Sequence, residues 1–276
     1  MSKVYFVRLA LYSSALATMV FAAGVQAAEC SRNMQVPMAA SGLSVVANGD
    51  LISGVYPEML NQLSLKNKCH FELSIVPRAR QEALFEAGQS DLLIPAVRTQ
   101  KRDQSGTFIP LIQNRPMLIS LRHRGAALSR LTEIFLVKDA KVVLVRGFDY
   151  GPAYQAFARK LEAQGKLMFE ADVFSVARTL KSGAARYTIM EPSVIAGAIE
   201  ADMRLSELHD QLNFEAVPEL PWSENGVYLS KKTLSKTDAQ TLGQLFEQVQ
   251  QQQLVWKGLQ RYYRKEVIAD SIRPLK

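Results

Sequence analysis

The chain has 276 residues, 48% of them hydrophobic and 21% charged, and 33 Lys and Arg against 26 Asp and Glu leave a net charge of +7. That length is enough for two lobes or one large α/β domain. The basic excess is modest and comes without an arginine run interleaved with aromatics, so nucleic acid is not the expected partner.

The first residues stand apart from the fold. Met1–Arg8 carries Lys3 and Arg8 and no acid, Leu9–Ala23 is a 15-residue run that is mostly apolar, and Val25 and Ala27 place small residues at a cleavage site. This pattern predicts a signal peptide over residues 1–27, cleaved after Ala27, and a periplasmic chain of 249 residues (28 to 276). Losing Lys3 and Arg8 lowers the net charge from +7 to +5. No later segment approaches the roughly 20 apolar residues that span a membrane. Glu29 before Cys30 disfavours a lipid-anchored form, which needs a small residue there. Cys30 and Cys69 both survive cleavage, and in an oxidising compartment two cysteines most simply form one disulfide. Two separate buried thiols are the alternative.

Strand and helix patterns then alternate, which predicts an α/β architecture with mostly parallel sheets. His70–Val76 places Phe71, Leu73 and Ile75 on one side as a strand does, a helix is expected over Ala79–Ala87 before Gly88, and Asp91–Val97 reads as a continuous buried strand. Phe71–Val97 is therefore expected to be one β-α-β unit with its two strands side by side. Met117–Arg122 is expected to cross to a second series of elements. In that series Lys141–Arg146 is a strand ending at Gly147, and Pro152–Ala163 is a helix. Asp172 caps a further helix with Val173, Val176, Ala177 and Leu180 on one face, and Tyr187–Met190 is a short buried strand. Val217–Trp222 is extended or looped, and Gly226–Ser230 is a second candidate crossing. The C-terminal part is expected to be one long helix, with Leu242, Leu245, Phe246, Val249, Trp256 and Leu259 on one face and Gln250–Gln253 interrupting it without ending it. The order is one lobe, a crossing, a second lobe, a second crossing and a return: residues 28–120 with 226–276, and residues 121–225.

Four stretches resemble periplasmic solute-binding proteins of family 3, the group that includes amino-acid receptors of ABC importers. Ser53–Leu60 (SGVYPEML) resembles the early G-x-x-x-D-L segment. Pro77-Arg78-Ala79-Arg80 followed by Gly88–Asp91 resembles P-W-x-R…G-x-x-D, with Arg78 in place of the aromatic. Thr99–Arg102 matches T-x-x-R and Phe108–Leu111 the region after it, and Gly183 and Glu191 match a G-x7-[DE] spacing. The resemblance implies a Venus-flytrap fold, two α/β lobes joined by two hinge-crossing strands, that closes on a ligand in the cleft.

The resemblance also implies site positions. Arg102, five residues beyond the strand end at Val97, has a fork that grips a carboxylate with two hydrogen bonds. Its replacement by alanine is then expected to abolish binding and leave the melting temperature unchanged. Pairing with Asp103 at the surface is the alternative. Arg78 and Arg80 follow Val76 and should emerge at the same edge. If all three arginines converge, a dianion or a ligand with two acidic groups is favoured. Tyr56 and Thr99 lie in two of the matching segments and complete the ligand set of the first lobe. Across the cleft, Asp149 either contacts ligand or caps the helix after it, Tyr150 stacks on ligand or packs on the rim, and Glu191 accepts a ligand ammonium or pairs with Arg186. Pro95 and Val97 stand where amino-acid binders often carry a hydroxyl, which weakens the case for an α-amino acid.

The expected function is therefore capture of a small polar, carboxylate-bearing solute by a monomer that hands it to an inner-membrane ABC permease, without cofactor or metal. A ligand sensor for a membrane receptor is the alternative, and a dehydratase-like enzyme with Glu191 as general acid is a more distant one. No G-x-S-x-G or H-E-x-x-H motif is present, and His70, His123 and His209 lie in unrelated segments.

Overall fold

The computed structural model describes Met1, residues 29–124 and residues 127–275. The expected signal peptide lies outside these residues, apart from Met1. Among the described residues no helix is long and apolar enough to cross a membrane.

The first lobe opens with β1 (Met34–Met38), a hairpin of β2 (Val46–Asn48) and β3 (Leu51–Ser53), α1 (Val55–Lys66), β4 (Phe71–Ile75) and α2 (Arg78–Ala87). It continues with β5 (Leu92–Val97), α3 (Gln100–Ser105) and β6 (Gly106–Asn114). The second lobe holds β7 (Met117–Leu121), β8 (Val142–Val145), α4 (Pro152–Ala163), β9 (Leu167–Glu170), α5 (Val173–Ser182), β10 (Tyr187–Met190), α6 (Pro192–Ala201) and β11 (Leu212–Glu215). The chain then returns as β12 (Ser223–Ser230), α7 (Lys236–Gln251), α8 (Leu254–Tyr262), α9 (Lys265–Ile268) and β13 (Ile272–Pro274).

The sheet of the first lobe runs β13-β6-β12-β5, and every pairing in it is antiparallel. Beside it β1 and β4 pair in parallel. The expectation of mostly parallel sheets therefore fails in this lobe, because β12, returning from the other lobe, inserts between β5 and β6 and runs against both. The expected side-by-side placement of the strands at Phe71–Ile75 and Leu92–Val97 fails too. β1 lies between them, with Asp91 N–H donating to Gln35 O at 2.9 Å. Pro37 and Pro95 bring no N–H to this seam. The buried amide of Gln81 bridges it instead, donating to Pro37 O at 2.9 Å and Ile94 O at 3.1 Å.

The second sheet runs β11-β7-β10-β8-β9, with β9, β8 and β10 parallel and β7 antiparallel to both its neighbours. Its two faces are covered separately. Val176, Leu180, Ile195 and Ile199 of α5 and α6 pack on one face, and Tyr154, Phe157 and Leu161 of α4 on the other. The expected Asp172 cap is present, its carboxylate accepting from Ser175 N at 2.7 Å.

The two strands expected to cross do not. β7 belongs wholly to the second sheet and β12 to the first. The chain changes lobes between Asn114 and Met117 and again between Glu215 and Ser223, where Pro116, Pro218 and Pro221 cannot extend a ladder. The links are bound together. Arg115 donates to Ser271 O and Asp270 O, each at 2.8 Å, and Trp222 lies between the guanidinium groups of Arg115 and Arg273, 5.1 and 4.1 Å from its ring centre. The expected long C-terminal helix is two helices, since Gln253 takes a left-handed φ of 53° between α7 and α8. Val255 and Leu259 of α8 still reach the core that α7 and α1 share.

The Cys30–Cys69 disulfide is formed and closes a separation of 39 residues, a constraint contributing about 4 kcal/mol against the unfolded chain. Arg32 grips buried Asp91 with two hydrogen bonds of 2.7 Å, and Asp238 accepts from Ser31. The N-terminal segment is thereby fixed to the first sheet.

Candidate functional site in the cleft

The ends of β5 and β12 and the start of α2 face the loop after β8 and the end of β10 across the junction of the lobes. Here lies a cavity of about 60 Å³, with Tyr56, Arg78 and Arg102 on one wall and Asp149, Tyr150 and Glu191 on the other. Six of the eight predicted ligand positions therefore meet at one place. The other two do not reach it. Thr99 caps α3, accepting from Arg102 N at 3.3 Å, and lines an adjoining groove of about 640 Å³. Arg80 points away on the exposed side of α2.

The arginines are not free. Arg102 is 3% exposed, and all three of its nitrogens are engaged: Nε donates to Glu82 Oε2 at 3.1 Å, Nη2 to Glu82 Oε1 at 2.7 Å and Nη1 to Val97 O at 2.6 Å. Arg78 donates to the same Glu82 Oε1 at 2.5 Å, to Gln81 Oε1 at 3.0 Å and to Pro95 O at 2.9 Å. Burial pushes the Glu82 carboxyl up, but Arg78 and Arg102 outweigh it and hold the group below its ordinary range. Arg102 has no bond to Asp103, whose carboxylate takes the Tyr228 hydroxyl at 2.9 Å. One nitrogen remains: Arg78 Nε is buried without a partner, on a side chain only 10% exposed.

Glu191, at the end of β10 and the start of α6, is 6% exposed. Its partners are neither a free amine nor Arg186. Tyr150 donates its hydroxyl to Oε2 at 2.6 Å, and Asn114 donates to Oε1. Burial raises the carboxyl above its ordinary value despite these donors. Burial and the nearness of Glu191 push the Tyr150 hydroxyl up as well. Asp149 accepts from Gly151 N at 2.8 Å, closing the turn before α4. Tyr150 stands edge-on to both Phe148, at 5.9 Å, and Tyr154, at 5.1 Å.

Ser41, Ser44, Asn114 and Asn225 also line the cavity, and none stands out in the sequence. Asn225 Oδ1 is buried without a partner. Glu82 is legible afterwards as the fourth residue beyond Arg78 on one helix, the spacing of an ion pair. The lobes touch closely beside the cavity. Gly147, with φ of 90°, has no room for a side chain, since a Cβ there would lie 2.7 Å from Ala79 N. Among the described residues no cluster of metal-ligating side chains is present.

No family model matches the chain, and no curated protein matches it. Solved structures do. An ABC uptake transporter substrate-binding protein from Streptococcus pneumoniae with bound histidine is 13% identical with a TM-score of 0.68, over 85% of this chain and 94% of that one. The amino-acid ABC transporter substrate-binding protein AbpA from Streptococcus pneumoniae, bound to L-arginine, is 17% identical with a TM-score of 0.66, over 85% and 96%. EhuB in complex with hydroxyectoine is 14% identical with a TM-score of 0.66, over 87% and 92%. At these identities the likeness is one of fold. The chain has the two-lobed α/β fold of the solved substrate-binding proteins of amino-acid ABC transporters.

Proposed function

We propose that this chain is a periplasmic solute-binding protein that captures a small polar solute of the amino-acid kind and delivers it to an inner-membrane ABC permease. One observation carries the proposal: a cavity at the junction of two hinged lobes, walled by buried polar groups from both, in which Arg78 Nε and Asn225 Oδ1 have no partner. Buried polar atoms left unpaired are costly, so a solute that pairs them gains affinity. A carboxylate oxygen suits Arg78 Nε, and an ammonium suits Glu191, whose charge burial disfavours. A cavity of about 60 Å³ holds one or two waters, so capture requires the lobes to part and close again.

The test is thermal shift and titration calorimetry on the mature protein, unfolded and refolded to remove copurified solute, against a library of amino acids and small organic acids. A bound solute at about 100 times its Kd raises stability by about 2.7 kcal/mol. A library in which no compound moves the melting temperature overturns the proposal.

A further inference from the structure

We propose that Glu82 sets the charge selectivity of this cleft: it fills the fork of Arg102 from within, so the cleft takes solutes of zero or positive net charge and rejects anions. This deepens the solute-binding proposal and rests on it.

Three arginines near one strand edge suggest a site for a dianion. The geometry removes that excess. Arg80 is exposed and away from the cavity. Arg102 meets both oxygens of Glu82 through its planar fork, at 3.1 and 2.7 Å, the arrangement a ligand carboxylate would otherwise take. Its remaining amine is closed by Val97 O. Arg78 shares Glu82 Oε1, so one internal carboxylate serves two cations. Against these two arginines the site sets three carboxyls, Glu82, Asp149 and Glu191. Whether Glu191 carries a proton or not, no positive charge is left over for an anionic solute.

The neighbouring cations are committed too. In the adjoining groove Lys101 pairs with Glu86 at 2.5 Å, and Arg146 lies 5.1 Å over the ring of Phe169. Among the buried side-chain atoms of the cavity lining, Arg78 Nε is a donor and Asn225 Oδ1 an acceptor without a partner, and the Glu191 carboxyl is a further acceptor on the opposite wall. The matching solute presents one acceptor oxygen and one or more N–H donors. A zwitterion or an amine-bearing cation fits this pattern, and a dicarboxylate does not.

Glu82→Gln keeps the shape and one acceptor oxygen while removing the charge. Mature protein freed of copurified solute, with and without this substitution, is titrated with succinate, L-glutamine and L-argininamide, which are respectively anionic, zwitterionic and cationic. The native protein is expected to bind L-glutamine or L-argininamide at least tenfold tighter than succinate, and Glu82→Gln to improve succinate binding at least tenfold relative to the native protein. If the native protein binds succinate as tightly as the other two, the charge assignment is overturned and the solute-binding proposal stands. If none of the three binds either protein, while the library of the previous section also yields nothing, both fall together. Should Glu82→Gln not fold, the ranking on the native protein alone decides the matter.

Discussion

Arg102 illustrates how a residue type in the right motif can be structural. A T-x-x-R pattern after a buried strand predicts a ligand grip, and such a side chain is dispensable for folding. In the structure the guanidinium is buried with three filled bonds, and its removal leaves the mostly buried Glu82 carboxylate with Arg78 alone. Breaking one side of a buried pair costs about 3–5 kcal/mol. Arg102→Ala is therefore expected to lower the melting temperature of the ligand-free protein by on the order of 10 °C, and an unchanged melting temperature would return Arg102 to the role of ligand grip. Glu191 makes the opposite prediction. Its carboxyl sits above the ordinary 4.5 when folded, because burial disfavours the charge. A raised folded value favours the fold fully below the unfolded value, and that contribution is lost as pH rises through the folded one. Relative to the native protein, Glu191→Gln should therefore gain stability progressively as pH rises above about 4.5, measured by denaturant titration without ligand. A difference that stays flat from pH 4 to pH 8 would refute the raised value.

At the level of elements, local signals were legible and long-range ones were not. Gly88 and Gly183 each take the left-handed conformation that ends α2 and α5, and Pro152 opens α4 where the sequence places it. These are decided within a turn of chain. The neighbours of a strand are decided elsewhere. β1 inserts between β4 and β5 from more than 30 residues upstream, and its short MQVPM pattern gives no hint of it. The crossings escaped for a related reason: Met117–Leu121 and Ser223–Ser230 have the alternation or apolarity of strands, but the prolines just before them mark the actual change of lobe. α2 shows both cases in one element. Its ends and Arg78 are legible in the sequence, whereas the pairing of Arg78 and Arg102 with Glu82, four residues after Arg78, depends on how α2 and α3 meet. Six of the eight positions expected from the sequence line one cavity, while the Glu82 pairing with Arg78 and Arg102 depends on contacts between segments far apart in the chain.

For the whole molecule, the two lobes have separate cores and meet at the two links, across the cleft, and where α6 packs against α9 and the Gly42–Leu43 loop, with Arg264 against His209. Such an arrangement favours rigid-body motion over internal rearrangement, since each sheet and its helices move together. The solved structures of similar fold bind histidine, L-arginine and hydroxyectoine, which suits a scaffold whose lobes stay constant while the lining changes. The Trp222 ring, held between Arg115 and Arg273 where the links meet, gives this motion an optical readout. An indole beside two cations emits in a strong local field, so a bend of the links that moves either cation against the ring shifts its emission. In a Trp256→Phe protein, which leaves Trp222 as the only tryptophan, the emission maximum is expected to move on adding solute, and an emission spectrum blind to saturating solute would mean that the links do not bend. The protein thereby carries its own label at its hinge, and an unknown cargo can be sought by watching the colour of one residue.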